Sequence, residues 1–184
     1  MPEPPPSDVL VWLDLEMTGL DLQRDVIVEI AVLATDTDLR ALDDGLDLVI
    51  HHPDEILEQI GEFVRKMHTS SGLLDAIRAS TVDLETAGAA VLEYVQRHAP
   101  EPRTVPLCGN SIGVDRRFLA RHLPTIEDHL HYRSIDVSSV KELVRRWNQE
   151  AYEHRPPKGG GHRALADVRE SIAELAYYRE AVFR

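Results

Sequence analysis

The chain has 184 residues, 43% of them hydrophobic and 28% charged, which suits one globular domain with a substantial core. Its net charge of -12 argues against a protein that tracks long duplex nucleic acid, whose footprint is basic, and no apolar run is long enough to cross a bilayer. Residues 1–100 hold 6 Lys and Arg against 20 Asp and Glu, while residues 101–184 hold 14 against 12, so phosphate-binding groups are expected in the second half.

Residues 1–8 are proline-rich and carry no basic residue. They read as a loose leader, neither signal peptide nor mitochondrial presequence, ahead of a single domain at 9–184. The one cysteine, Cys108, rules out an internal disulfide and points to a reducing, cytoplasmic location. From Val9 to Leu13 apolar residues occupy both faces, as in a buried strand, and the run continues through Asp14 and Glu16 to Gly19. Residues 26–35 form a second strand with Glu29 as its lone acid. Residues 46–50 alternate and read as a third. Short connections make these three an antiparallel meander.

Ile60, Phe63, Val64 and Met67 then recur at helical spacing, with His68 just beyond. Residues 84–98 form a longer amphipathic helix, with Thr81 or Asp83 as its N-cap. Residues 104–108 form a short strand entering Gly109-Asn110-Ser111. A helix over about 113–122 stops before Pro124. Residues 132–136 form a last short strand, and Asp136 can cap a helix carrying Val140, Leu143, Val144 and Trp147. After a loop over 155–161 the final helix spans about 163–182, with Leu165, Val168, Ile172 and Leu175 as its apolar stripe. This order predicts an α/β fold: a mixed sheet, an antiparallel three-strand meander plus shorter strands, flanked by helices.

Four acids stand out against this framework. Asp14 and Glu16 are two apart on a strand, so both carboxylates point to one face. Asp115 shares a helix face with Phe118, Leu119 and His122. Asp167 lies on the last helix, and His162 follows Gly159-Gly160-Gly161 at the end of the loop before it. Taken singly, each has a plain alternative: a frayed strand end, a first-turn acid favoured by the helix dipole, a surface histidine. Together, Asp14, Glu16, Asp115 and Asp167 can hold two divalent cations, and hard oxygen ligands select Mg2+ or Mn2+. One cation fits between Asp14, Glu16 and Asp167 beside an attacking water, the other between Asp14 and Asp115 beside the leaving oxygen. A histidine next to them is suited to take the water's proton.

Four segments carry a resemblance: WLDLEMTGLD at 12–21, GNSIGVDRRFLARHLP at 109–124, HYRSIDVSSVKELVRRW at 131–147 and HRALADVRESIAELAYYRE at 162–180. In these, co-linear from about Val9 to Glu180, the chain resembles the oligoribonuclease family of the DEDD exonucleases, in the variant with a histidine in the third motif. The resemblance implies a ribonuclease H-like fold, 3'-to-5' exoribonuclease activity on very short oligoribonucleotides, above all dinucleotides, and a homodimer. It assigns Asp14, Glu16, Asp115 and Asp167 to metals and His162 to general base. It implies that Leu20 wedges between two bases and that His68 contacts substrate. It also implies that Ser111, Arg133 and Ser138 cap a 5' phosphate, and that Tyr132 reaches the partner's site. The family often has two adjacent acids where this chain has Ala166-Asp167.

Three other readings compete. A haloacid-dehalogenase-type phosphatase would use Asp14 as nucleophile, but Glu16 stands where that motif has Asp, and His162 has no role. Another DEDD exonuclease acting on longer DNA or RNA is the runner-up. A non-catalytic nucleotide-binding module is disfavoured by the retention of all five catalytic residue types.

Overall fold

The computed structural model describes residues 8–157 and 159–183, so the expected leader, apart from Asp8, lies outside the described residues. A five-stranded sheet runs in the order β3-β2-β1-β4-β5, with β1 (Val9–Met17), β2 (Ile27–Asp36), β3 (Leu46–Val49), β4 (Pro106–Gly109) and β5 (His131–Asp136). The first three strands form the expected antiparallel meander, while β4 and β5 add parallel to it.

Period-two alternation sends the two faces of β1 to different cores. Val11, Leu13 and Leu15 meet α4 (Leu84–His98), α5 (Gly113–His122) and α6 (Pro124–His129). Trp12 meets α7 (Val137–Trp147), α8 (Gln149–Glu153) and α9 (Ala164–Ala181). A third cluster joins Val28 to α1 (Asp54–Leu57) and α3 (Leu73–Ala79), with α2 (Glu62–Ser70) between these helices in sequence. Val28 is the extra residue of a β-bulge: Glu16 pairs with Glu29, but Met17 pairs with Ile27. Bulges re-aim side chains beside functional sites, and this one sits at Glu16.

Asp83, not Thr81, caps α4 by accepting from the Thr86 amide at 2.7 Å, a contact worth about 0.5–2 kcal/mol. Asp136 caps α7 as its position predicts. Pro124 ends α5 and opens α6, where its missing N–H costs nothing.

Three apolar stripes differ from expectation. Phe63 is 81% exposed, because α2 is held through its other side. On α7 Leu143 and Trp147 face solvent, Trp147 at 77%, and Val137 and Val144 make the contact with the sheet. On α9 the buried seam is Ala164, Val168, Ser171, Glu174 and Tyr178; Leu165, Ile172 and Leu175 flank it half-buried. Small and polar residues on that seam hide it from a hydrophobicity count. Among the described residues no helix is long and apolar enough to cross a membrane.

Candidate active site

The acids converge where β1 ends. Glu16 and Asp115 are buried, and Asp14 and Asp167 half-buried. Asp115 enters from the first turn of α5, and its Oδ1 accepts the Leu15 amide at 3.1 Å, between Asp14 and Glu16 in the strand. From the opposite end of the chain, His162 and Asp167 bring ligand atoms to within 4.8 Å of each other and of Glu16. The electrostatics bind the set together. Burial, then Asp115, Asp167, Glu16 and Glu29, push the Asp14 carboxyl up to about 9. Burial, then Asp167, Glu29 and Asp115, push Glu16 up to about 7, with Arg163 opposing. Burial raises Asp115 to about 6 against the amides that hold it.

Carboxylates kept this close and this dry resist ionisation until a cation joins them. Their oxygen donors fit a hard divalent ion, so the residues present suit the metal expected from the sequence.

Sequence reasoning noted Glu29 only as a lone acid, but it is a keystone of the site. Its side chain is fully buried on the α9 side of β2, directly across from Glu16. It accepts Arg163 Nε at 2.7 Å and the Ala164 amide at 3.0 Å. This pins the N-terminus of α9, and with it His162 one residue before and Asp167 one turn later. A carboxylate there also favours the helix dipole. The available signal was an ionisable residue inside a strand otherwise buried on both faces.

Glu29→Ala is expected to destabilise the protein by about 3 kcal/mol, the low end for breaking a buried ion pair because Arg163 keeps some access to water. That corresponds to a midpoint about 6–12 °C lower in thermal denaturation. The measurement belongs in saturating Mn2+, where relief of repulsion among the acids does not mask the loss. An unchanged midpoint would show that α9 is anchored elsewhere.

The remaining predicted residues fall around this centre. Leu20 is 66% exposed at the tip of the turn after β1. That turn is built on buried Asp25, which accepts Thr18 Oγ1 at 3.0 Å and the Asp21 amide at 2.8 Å. Gly19 is required there, since a Cβ would lie 2.4 Å from the Asp25 carboxylate.

His68 is the residue for which the resemblance implies a substrate contact. It is fully enclosed in the last turn of α2, donating from Nε2 to the Met17 carbonyl at 2.9 Å, with Nδ1 4.0 Å from Glu16. Desolvation lowers its pKa, so the ring is held neutral. Ser111 and Ser138 are joined hydroxyl to hydroxyl at 3.0 Å, and both amides bind Asp136. Tyr132 and Arg133 stand exposed on β5, with the Arg133 guanidinium 5.6 Å from the centre of the Tyr132 ring.

With this geometry in hand, known proteins give a consistent picture. The RNase_T family model, described as Exonuclease, matches residues 11–175. An oligoribonuclease of Mycobacterium sp. (strain KMS) is 57% identical over 96% of this chain and 82% of its own length. The oligoribonuclease of Streptomyces avermitilis is 58% identical over 96% and 88%. Among solved structures, a zinc-bound complex of E. coli exonuclease I with single-stranded DNA superposes with a TM-score of 0.74 at 15% identity, over 96% of this chain. Exonuclease I from Methylocaldum szegediense gives 0.66 at 20% over 97%. The chain spans only 41% and 42% of those two proteins, and the likeness is one of fold. The ribonuclease H-like mixed sheet expected from the sequence is the fold they share.

Proposed function

Since the chain belongs to the oligoribonuclease family, and is therefore a divalent-metal-dependent 3'-to-5' exoribonuclease of short RNAs, we propose that its preferred substrate is the 5'-phosphorylated dinucleotide. The observation that carries the reading is the convergence of Glu16, His162 and Asp167, three residues from opposite ends of the chain, on the site that holds Asp14 and Asp115. In this reading Asp14, Glu16, Asp115 and Asp167 hold two cations, Mg2+ or Mn2+. Bound there, the cations supply Lewis-acid stabilisation of the attacking and leaving oxygens. His162 takes the proton of the attacking water. Leu20, exposed at its turn, separates the two bases.

Ser111, Ser138 and Arg133 close around the 5' phosphate, where a guanidinium forks onto phosphate oxygens. His68 supports the substrate side from behind Glu16. Tyr132 completes the site of a second copy in a homodimer, a reading that its exposure supports. Residues 9–184 act as one exonuclease domain, and the single buried cysteine suits a reducing cytoplasm.

A length series tests the proposal. Purified protein meets 5'-phosphorylated RNAs of two to about seven nucleotides with Mg2+, Mn2+ or chelator. The expected result is metal-dependent hydrolysis fastest on the dinucleotide, because a pocket capped at both ends loses binding energy when a third nucleotide must be accommodated. Rates that hold or rise with length would mean an open groove, and the roles of Leu20, Arg133 and Ser138 would fall first.

A further inference from the structure

The pairing of β4 with β5 contains an irregularity that the proposed roles leave unexplained. Pro106 pairs with His131 and Leu107 with Ser134, so one step along β4 corresponds to three along β5. Tyr132 and Arg133 are the two extra residues, and they form a bulge on an exposed strand. Such a bulge has no ladder to fix it and needs another anchor.

Arg116 supplies that anchor. Its NH2 nitrogen donates to the carbonyl of His131 at 2.6 Å and to that of Arg133 at 3.0 Å, so a single nitrogen grips both sides of Tyr132. Its Nε donates to Ser134 Oγ at 2.9 Å, where the ladder resumes. Glu127 on α6 holds the remaining nitrogen at 2.5 Å. Within the bulge the Arg133 amide donates to His131 Nδ1 at 3.0 Å, and the His131 and Tyr132 rings lie 4.4 Å apart. Arg116 follows Asp115 directly on α5. One turn of helix therefore turns Asp115 to β1 and Arg116 to β5, tying the centre of the site to its rim.

We propose that Arg116 is a positioning residue that locks this bulge and so sets the reach of Arg133 and Tyr132, making it a determinant of 5'-phosphate recognition. The inference rests on the role proposed above for Arg133. A guanidinium is needed because only a planar fork can serve three acceptors on β5 and one on α6 at once; an ammonium keeps the charge and loses the fork.

The test compares Arg116→Lys, Arg133→Ala and the double variant on diadenylate with and without a 5' phosphate, in Mn2+. Arg116→Lys is expected to raise KM for the phosphorylated dinucleotide about tenfold, the worth of one charge-assisted hydrogen bond. The change in kcat should be small, and discrimination between the two substrates should fall toward that of Arg133→Ala. Because Arg116 acts through Arg133, the double variant should be no worse than Arg133→Ala alone. Full additivity, or unchanged discrimination in Arg116→Lys, overturns the proposal. If Arg133→Ala itself leaves discrimination intact, the phosphate-cap reading has failed instead, whatever Arg116→Lys does. Ser134→Ala removes only the Nε acceptor at an exposed position and leaves the fold unburdened. It should shift discrimination in the same direction by a smaller factor, and no shift there counts against the proposal.

Discussion

Asp14→Asn is expected to lose about 10³-fold or more in turnover and at the same time to stabilise the metal-free protein. The first effect follows because Asp14 stands between the other acids and serves both cations in the proposed arrangement. Losing several kcal/mol of transition-state stabilisation is a loss of this order. The second follows from the sign of the pKa shift. The Asp14 carboxyl is raised from 3.8 to about 9 by burial and by its acidic neighbours. A raised acid contributes stability that is complete below its unfolded value and drains away as pH climbs toward its folded value. Without metal, the wild-type protein should therefore weaken from about pH 4 toward pH 9, and an uncharged asparagine should escape that loss. Thermal denaturation in chelator should show the variant gaining on wild type between pH 5 and pH 8.5. In Mn2+ the order should reverse. At about 100 times Kd a bound ion stabilises wild type by ~2.7 kcal/mol, a rise of about 5–10 °C, which the variant should largely lack. A variant that is inactive and also less stable in chelator at pH 8.5 would mean that Asp14 is a structural residue.

The parts of this site that were legible in the sequence are those where one residue contradicts its own surroundings. Asp14 and Glu16 interrupt an apolar strand, Asp115 lies on an apolar helix face, and the glycine triplet isolates His162. Each anomaly needs only local periodicity to be seen. The meander was legible for the same reason, since its connections are short and its alternation clean. What escaped depends on partners far apart in the chain. Glu29 and Arg163 are separated by 134 residues, and no local pattern marks them as a pair. The α9 stripe is only partly legible: Val168 lies in the buried seam and Leu165, Ile172 and Leu175 pack beside it, but the rest of the seam is Ala164, Ser171, Glu174 and Tyr178, which no apolar spacing marks. His68 lies inside the last turn of α2 and not just beyond it, and its enclosure depends on Met17 and Glu16 from β1. The bulge of β5 was invisible because register is a property of two strands, and the residue that fixes it sits on a helix.

His162→Ala is expected to cost about 10²–10⁴-fold in kcat, the usual worth of a general base. The geometry admits a second role, because the His162 ring shares a cluster with Glu16 and Asp167 and could itself ligate a cation. The two roles part on cation affinity. A ligand lost from the cluster lowers it, and excess Mn2+ then recovers activity. A base lost beside the cluster leaves affinity intact, and no concentration of Mn2+ restores the rate. We expect the second pattern, with KM for the dinucleotide little changed, since proton transfer is felt in the transition state and not in binding. The backbone supplies an independent control. His162 sits in the left-handed region at φ 45°, which costs a non-glycine residue about 1 kcal/mol or more and is tolerated best by asparagine. His162→Asn therefore keeps the loop conformation while removing the imidazole. If His162→Asn is as slow as His162→Ala and both bind Mn2+ like wild type, the imidazole and not the loop shape carries the chemistry. Recovery of either variant in excess Mn2+ would move His162 into the metal site and out of the general-base role.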